Sequence, residues 1–272
     1  MQDKGLNRTT IDKFYTKSEV VELCMDLIDK YLDIKIDDLI IEPSAGNGAF
    51  IEGIKCTSNK YKFYDIEPEH DEIIKKDFLG INHKSLKSKY ENIHIIGNPP
   101  FGRQSSMAIK FIKKCCKFAN SISFILPKSF KKDSMRKYFT LNYHLIYETN
   151  LEPNSFLVNG IETDVPCVFQ IWILKDEPRI ISSKSEPINF KFVKKEEDPD
   201  ISFRRVGVNA GTILKDVDKN TQSHYFIKFI NNDNLDKNLK KLKNLDFKFD
   251  NTVGPKSISK SELIDEFNKL LI

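Results

Sequence analysis

The run Asn92-Ile93-His94-Ile95-Ile96-Gly97, followed by Asn98-Pro99-Pro100-Phe101, constrains this chain more than any other stretch. Its apolar and β-compatible residues predict a buried strand that stops abruptly. Two consecutive prolines cannot continue a sheet ladder, because neither offers a backbone N–H. Each fixes its own φ and restricts the residue before it. The tetrapeptide is therefore stiff, and it projects an amide, two carbonyls and an aromatic ring from the carboxyl end of a strand. Open α/β sheets bind their ligands at that end. Asn98 can donate and accept hydrogen bonds, and Phe101 offers a face for a flat ring. Asn98, Pro99, Pro100 and Phe101 are the candidate catalytic residues, a clamp for a planar group carrying an NH2. A plain turn is the competing reading.

At 272 residues, the chain has room for one large domain and a small appendage. No apolar run approaches the ~18 residues of a membrane span. The start, Met1-Gln2-Asp3-Lys4, lacks the apolar core of a signal peptide. The five cysteines are odd in number and show no Cys-x-x-Cys spacing. They imply buried thiols in a reducing cytoplasm. Cys and His do not cluster as zinc ligands, so neither a metal nor a membrane is expected. The net charge of +4 is mild, but cations bunch after the tetrapeptide. Lys110, Lys113, Lys114 and Lys117 form one group, and Lys128, Lys131, Lys132, Arg136 and Lys137 a second. A solvated helix face and a phosphate-facing rim both fit this pattern.

Apolar positions from Val20 to Tyr31 recur at helical spacing, with Thr16 or Ser18 as a cap. Asp38 to Glu42 reads as a strand. The loop Pro43-Ser44-Ala45-Gly46-Asn47-Gly48 follows, where Gly46 and Gly48 permit positive φ and close approach of the backbone to a ligand. It is neither G-x-G-x-x-G nor a P-loop. Tyr61 to Pro68 is a second strand ending in acid, where a carboxylate, Asp65 or Glu67, can accept ribose hydroxyls. Residues 103–120 form an amphipathic helix. Strands follow at 121–127, 144–149 and 165–174. The alternation predicts an α/β, doubly wound, mostly parallel sheet. Residues 1–175 are expected as the catalytic domain and 176–272 as a small C-terminal α+β extension, with Arg204 and Arg205 on a phosphate or in plain structural packing.

Asn-Pro-Pro-Phe resembles the [N/D/S]-P-P-[Y/F/W] tetrapeptide of S-adenosylmethionine (SAM) dependent amino-methyltransferases. Glu42-Pro43-x-x-Gly46-x-Gly48-x-Phe50 is similar to the SAM-binding first motif of that class. Phe14-Tyr15-Thr16 is similar to its N-terminal motif, with Lys17 where the family usually has Pro. The motifs occur in the family's order over residues 14–174. The resemblance implies a Rossmann-like seven-stranded sheet closed by an antiparallel hairpin. It implies SAM as cofactor, bound by Tyr15, Thr16, Glu42, Pro43, Ser44, Gly46, Gly48 and Asp65, with Asp77 and Phe78 at the adenine ring. It implies DNA or RNA containing a target adenine as substrate. Phe156 would stack on an extruded base, and Lys128, Arg204 and Arg205 would contact substrate.

An adenine NH2 is a poor nucleophile because its lone pair is delocalised. If the Asn98 side-chain oxygen and the Pro99 carbonyl accept both N–H protons, the lone pair is freed for attack. Those acceptors also stabilise the positive charge that grows. Two alternatives stand beside adenine-N6 methylation. One is methylation of a protein glutamine amide, whose enzymes typically carry Tyr at the fourth position. The other is an inactive SAM- or nucleic-acid-binding subunit, against which the intact tetrapeptide argues.

Overall fold

A computed structural model describes residues 14–180, 185–230, 235–242, 245, 247, 249 and 255–271. The chain divides into two compact units, residues 1–180 and 181–272. The segment after residue 175 stays with the first unit because Arg179 is anchored there. Its guanidinium donates to the carbonyls of Thr140 (2.8 Å), Tyr143 (2.6 Å), Arg136 (3.0 Å) and Phe139 (3.0 Å). It also lies over the Trp172 ring, 5.4 Å from the centroid.

The first unit begins with β1 (Tyr15–Thr16), α1 (Ser18–Tyr31), β2 (Leu39–Glu42), α2 (Ile51–Thr57), β3 (Lys60–Asp65) and β4 (Ile74–Lys75). It continues with α3 (His83–Lys89), β5 (Ile93–Gly97), α4 (Ser106–Cys115), β6 (Ser121–Pro127), α5 (Asp133–Arg136) and β7 (Tyr143–Asn150). It ends with β8 (Phe156–Val158), β9 (Ile161–Thr163) and β10 (Cys167–Leu174). Seven strands form one sheet in the order β4-β3-β2-β5-β6-β10-β7. The contacts of β2, β3, β4, β5 and β6 with one another are parallel, and β10 runs antiparallel to both β6 and β7. This is the α/β, mostly parallel seven-stranded sheet that the sequence predicts.

Both faces of the sheet are covered, as the near-continuous apolar runs of its central strands require. Side chains alternate between the two cores with period two. Ile40, Ile96 and Ile125 join α1 and α2 in one core. Leu39, Ile41, Ile93, Ile95, Ile122 and Phe124 join α4 in the other. Burying each such side chain contributes about 1.5–3 kcal/mol.

A second, three-stranded sheet, β1-β8-β9, was not foreseen. Tyr15 pairs with Leu157, and Thr16 with Phe156. The β8–β9 hairpin turns at Asn159-Gly160, both at positive φ. That dipeptide is a strong hairpin signal, legible beforehand. Lys17 caps α1 in extended conformation without a side-chain bond, so neither Thr16 nor Ser18 caps it. The Lys17 N–H donates to the Ser155 carbonyl (3.2 Å), and its Nζ meets Glu162 of β9 (2.7 Å). Proline here would remove the first bond. Cys24, Cys115 and Cys167 are buried, while Cys56 is exposed, against the expectation of buried thiols throughout.

The second unit holds β11 (Phe190–Val193), β12 (Ile201–Arg204), β13 (Ile213–Leu214), β14 (His224–Phe229), α6 (Leu235–Leu242) and α7 (Lys260–Leu271). Its antiparallel sheet has the order β11-β14-β12-β13. Phe190, Phe203, Ile227, Leu242, Leu263 and Phe267 form its own core. No helix among the described residues is long and apolar enough to cross a membrane.

Candidate active site

The carboxyl ends of β2, β3, β4 and β5 converge on a cavity of about 270 Å³ in the first unit. Each strand delivers a polar group there at, or one or two residues beyond, the end of its ladder. Pro43, Ser44 and Gly46 follow β2, Asp65 ends β3, Asp77 and Phe78 follow β4, and Asn98 to Phe101 follow β5. Tyr15 and Phe14 close the wall from the small sheet.

Asn98 is held from one side. Its Nδ2 donates to the Phe14 carbonyl and to the Thr16 hydroxyl, each at 3.2 Å. With both amide hydrogens engaged, Oδ1 accepts no hydrogen bond among the described residues. The carboxamide lines the cavity. The backbone carbonyl of Asn98 accepts from Ser44 Oγ (3.2 Å), which ties the tetrapeptide to the glycine loop. The Phe101 carbonyl accepts from Met107 N (3.1 Å) and so anchors the start of α4. Gly102 makes that turn at φ 68°, where a Cβ would come within 2.8 Å of Met107 Cγ.

Asp65 is fixed by two backbone donors, Gly46 N to Oδ2 and Glu67 N to Oδ1, both at 2.8 Å. Tyr15 lies beside Gly46, and its hydroxyl donates to Glu69 Oε1 (2.6 Å). Asp77 Oδ1 accepts from Leu79 N (2.8 Å), which places Phe78 at the start of a short 3₁₀ turn. Lys76 also lines the cavity, and its N–H donates to the Asp65 carbonyl (2.7 Å). Sequence reasoning missed Lys76, and no motif marks it. Phe14 was quoted within the N-terminal motif but given no role.

Glu42 lies outside the cavity wall, at the end of β2. It is 2% exposed, and its Oε2 has no hydrogen-bond partner. Burial, and then the negative charge of Asp65, pushes its carboxyl well above the ordinary range. The space it occupies exists because residue 97 is glycine. A Cβ on Gly97, at φ 144°, would lie 3.1 Å from Glu42 Cγ.

The remaining expected site residues lie elsewhere. Thr16 is buried and reaches the site only through Asn98. Gly48 (φ 86°) turns the loop into α2, against Ile51 and His70, and lines no part of the cavity. Phe156 corrects the reading. It is 0% exposed in the first core, so it offers no face to a base. Phe14 stands between it and the tetrapeptide. The Phe14 ring is edge-on to Phe156 and near-parallel to Phe101, with both centroids 6.2 Å away. Lys128 follows β6 outside the cavity wall. Arg204 and Arg205 belong to the second unit. There Arg204 Nε donates to the Val206 carbonyl (2.8 Å), and Arg205 lies over Tyr225. Among the described residues, no three His, Cys, Asp or Glu side chains converge to hold a metal.

Comparison with known proteins adds a partial match. The EDM2 methyltransferase-like domain matches residues 50–167. Over 197 residues the chain is 27% identical to Protein ENHANCED DOWNY MILDEW 2 of Arabidopsis thaliana, covering 67% of this chain. It spans 14% of that relative's length. Among solved structures, the 23S rRNA methyltransferase ErmE aligns at TM-score 0.45 and 12% identity, over 62% of this chain and 73% of its own. The N-methyltransferase NodS of Bradyrhizobium japonicum aligns at 0.40 and 12%, over 58% of this chain and 97% of its own.

Two outcomes follow for stability. Folded Glu42 binds its proton above the ordinary value of 4.5, whereas the unfolded chain releases it there. The folded state therefore loses stability as pH rises above that value towards the raised pKa. Glu42→Gln removes this loss, so in thermal melts the variant's stability relative to the parent should rise as pH increases above the ordinary value of 4.5. Gly97→Ala should destabilise by about 1–3 kcal/mol in urea unfolding, since it combines a strained positive φ with contact on Glu42.

Proposed function

We propose that the first unit transfers a methyl group from SAM to the exocyclic N6 of an adenine in DNA or RNA. The observation that carries this reading is the Asn98 carboxamide. Its nitrogen is spent on Phe14 and Thr16, and its oxygen is left on a cavity walled by Pro99, Pro100 and Phe101. The match of residues 50–167 to a methyltransferase-like domain supports it.

The residues present fit the cofactor. Glu42, buried outside the cavity wall, does not reach the ligand directly, and Ser44, Gly46 and Tyr15 are the lining residues on the side suited to an aminoacyl group. Asp65 keeps acceptor capacity beyond its two backbone donors and suits a pair of ribose hydroxyls. Asp77 and Phe78 line the far part of the cavity and suit an aminopurine. SAM, when bound, supplies an activated methyl on a positively charged sulfur.

The chain's own part is to prepare the acceptor nitrogen. Asn98 Oδ1 and the Pro99 carbonyl accept its two N–H bonds and turn the lone pair out of conjugation. They remain in place as positive charge develops, so little reorganisation is needed, and the methylated nitrogen then loses one proton to water. The rigid prolines hold the geometry, an orientation effect. Phe14 and Phe101 are the rings at this end of the cavity, in the place first assigned to Phe156. A base in a duplex must be flipped out to reach them, whereas a single strand presents it directly. Lys128, Arg204 and Arg205 are read as contacts to the nucleic acid backbone.

The test is transfer from tritiated SAM to DNA, RNA and protein substrates, followed by mass spectrometry of the nucleosides. Label in N6-methyladenine is expected; label confined to glutamine, or none despite tight SAM binding, overturns the reading. Asn98→Ala should lower the transfer rate by about 10²–10³-fold with SAM affinity nearly unchanged. Asp65→Ala should instead weaken SAM binding, read by calorimetry. Thr16→Val frees one amide hydrogen of Asn98 and lets the group rotate. It should lower kcat more than it alters KM for SAM, and Thr16→Ser should restore the rate.

A further inference from the structure

The second unit has a pocket of its own. β11 is an edge strand, paired only to β14 up to the Val193–Phe226 register. β14 begins at His224, two residues beyond that pair, so His224 and Tyr225 outrun β11. The space left beside them is a cavity of about 260 Å³. Its wall includes Phe192, Tyr225, His224, Lys194, Lys195 and Lys260, and Glu196 is the carboxylate among the described lining residues.

The cations here are held in place. Ile258 N donates to the Arg205 carbonyl (2.8 Å), Gly207 N to the Lys256 carbonyl (2.9 Å), and Tyr225 Oη to the Ile258 carbonyl (3.2 Å). This docking sets Lys260, the first residue of α7, above two rings. Its Nζ is 4.5 Å from the Phe192 centroid and 5.9 Å from that of Tyr225. Arg205 lies 5.2 Å from the Tyr225 centroid. Attraction to the ring faces limits the freedom of both cations, so an anion that binds them meets a smaller ordering cost.

These charges are also unspent. Nearby lysines have partners: Lys195 pairs with Asp218 (2.5 Å), Lys219 with Asp216, and Lys228 with Asp198 (3.1 Å). Lys194, Arg205 and Lys260 form no ion pair among the described residues. The carboxylates nearby are Glu196 in the wall, Glu197, whose Oε2 accepts from Lys194 N (2.6 Å), and Glu262 near Tyr225. None of them forms an ion pair with these three side chains among the described residues, so the cationic groups stay open to an anion.

We propose that this pocket binds the sugar–phosphate backbone of single-stranded nucleic acid. Phosphates meet Lys194 and Lys260, and a sugar or base packs against the exposed parts of Phe192 and Tyr225. Cationic grooves interleaved with aromatic rings bind single strands in this way, and a duplex keeps its base faces hidden. The site lies wholly in the second unit and stands whether or not the first unit transfers methyl groups.

The test uses the full chain and a fluorescein-labelled oligo(dT), which has no adenine to enter the first unit's cavity. Anisotropy over a salt series should show binding. Lys194→Ala with Lys260→Ala should raise Kd at least about tenfold and flatten the slope of log Kd against log salt by about 1.4, near 0.7 per lost phosphate contact. Replacing both lysines by Arg should keep the affinity, and thermal melts should show all variants folded. Lys237→Ala with Lys240→Ala, the same charge change on exposed positions of α6, should shift Kd by less than about twofold. Absence of oligo(dT) binding by the parent chain, tighter binding of a duplex, or equal losses in the two alanine pairs would each refute the proposal.

Discussion

The arrangement depends most on two hydrogen bonds that the Asn98 amide nitrogen donates, to the Phe14 carbonyl and the Thr16 hydroxyl. A carboxamide is nearly symmetric in shape but opposite in polarity at its two ends. Without those acceptors it has no reason to present oxygen rather than nitrogen to the cavity. The partners are Phe14, which precedes β1, and Thr16 within it, more than eighty residues earlier in the chain. Strand β1 is two residues long and persists because β8 pairs with it, and β8 is in turn paired with β9. The orientation of the Asn98 amide thus rests on a small sheet outside the main one.

A second dependency is electrostatic. Glu42 is kept out of water beside Asp65, at a cost that an apolar residue would not incur. The fold accommodates it with Gly97, whose missing side chain makes the room, and with β-sheet neighbours that leave Oε2 without a partner. An unsatisfied carboxyl oxygen in a well-packed core lowers stability. Asp65 is the contrast, since both its oxygens are satisfied by backbone donors of the loops they organise.

Much of the site was legible because strand ends and prolines leave local signatures. Asn98 to Phe101, Pro43, Ser44, Gly46, Asp65, Asp77 and Phe78 end or follow strands whose apolar runs are plain in one dimension, and all line one cavity. Phe156 was misplaced because an aromatic near a loop reads the same whether it faces solvent or core, and pairing with Thr16 turned it inward. The Asn159-Gly160 hairpin carried a usable signal that periodicity alone passes over. Lys76 carried none, since its place in the wall comes from pairing of β3 with β4.

The sequence by itself therefore determined the doubly covered parallel sheet and the order of its loops. Hydrophobic period, glycine and paired prolines act through neighbours in the chain. Only the tertiary structure decided which end of the Asn98 amide faces the cavity, that Glu42 is buried unpaired, and that Lys260 and Arg205 meet over Tyr225. Each of these depends on contacts between residues far apart in sequence, and no local pattern encodes the distance between them.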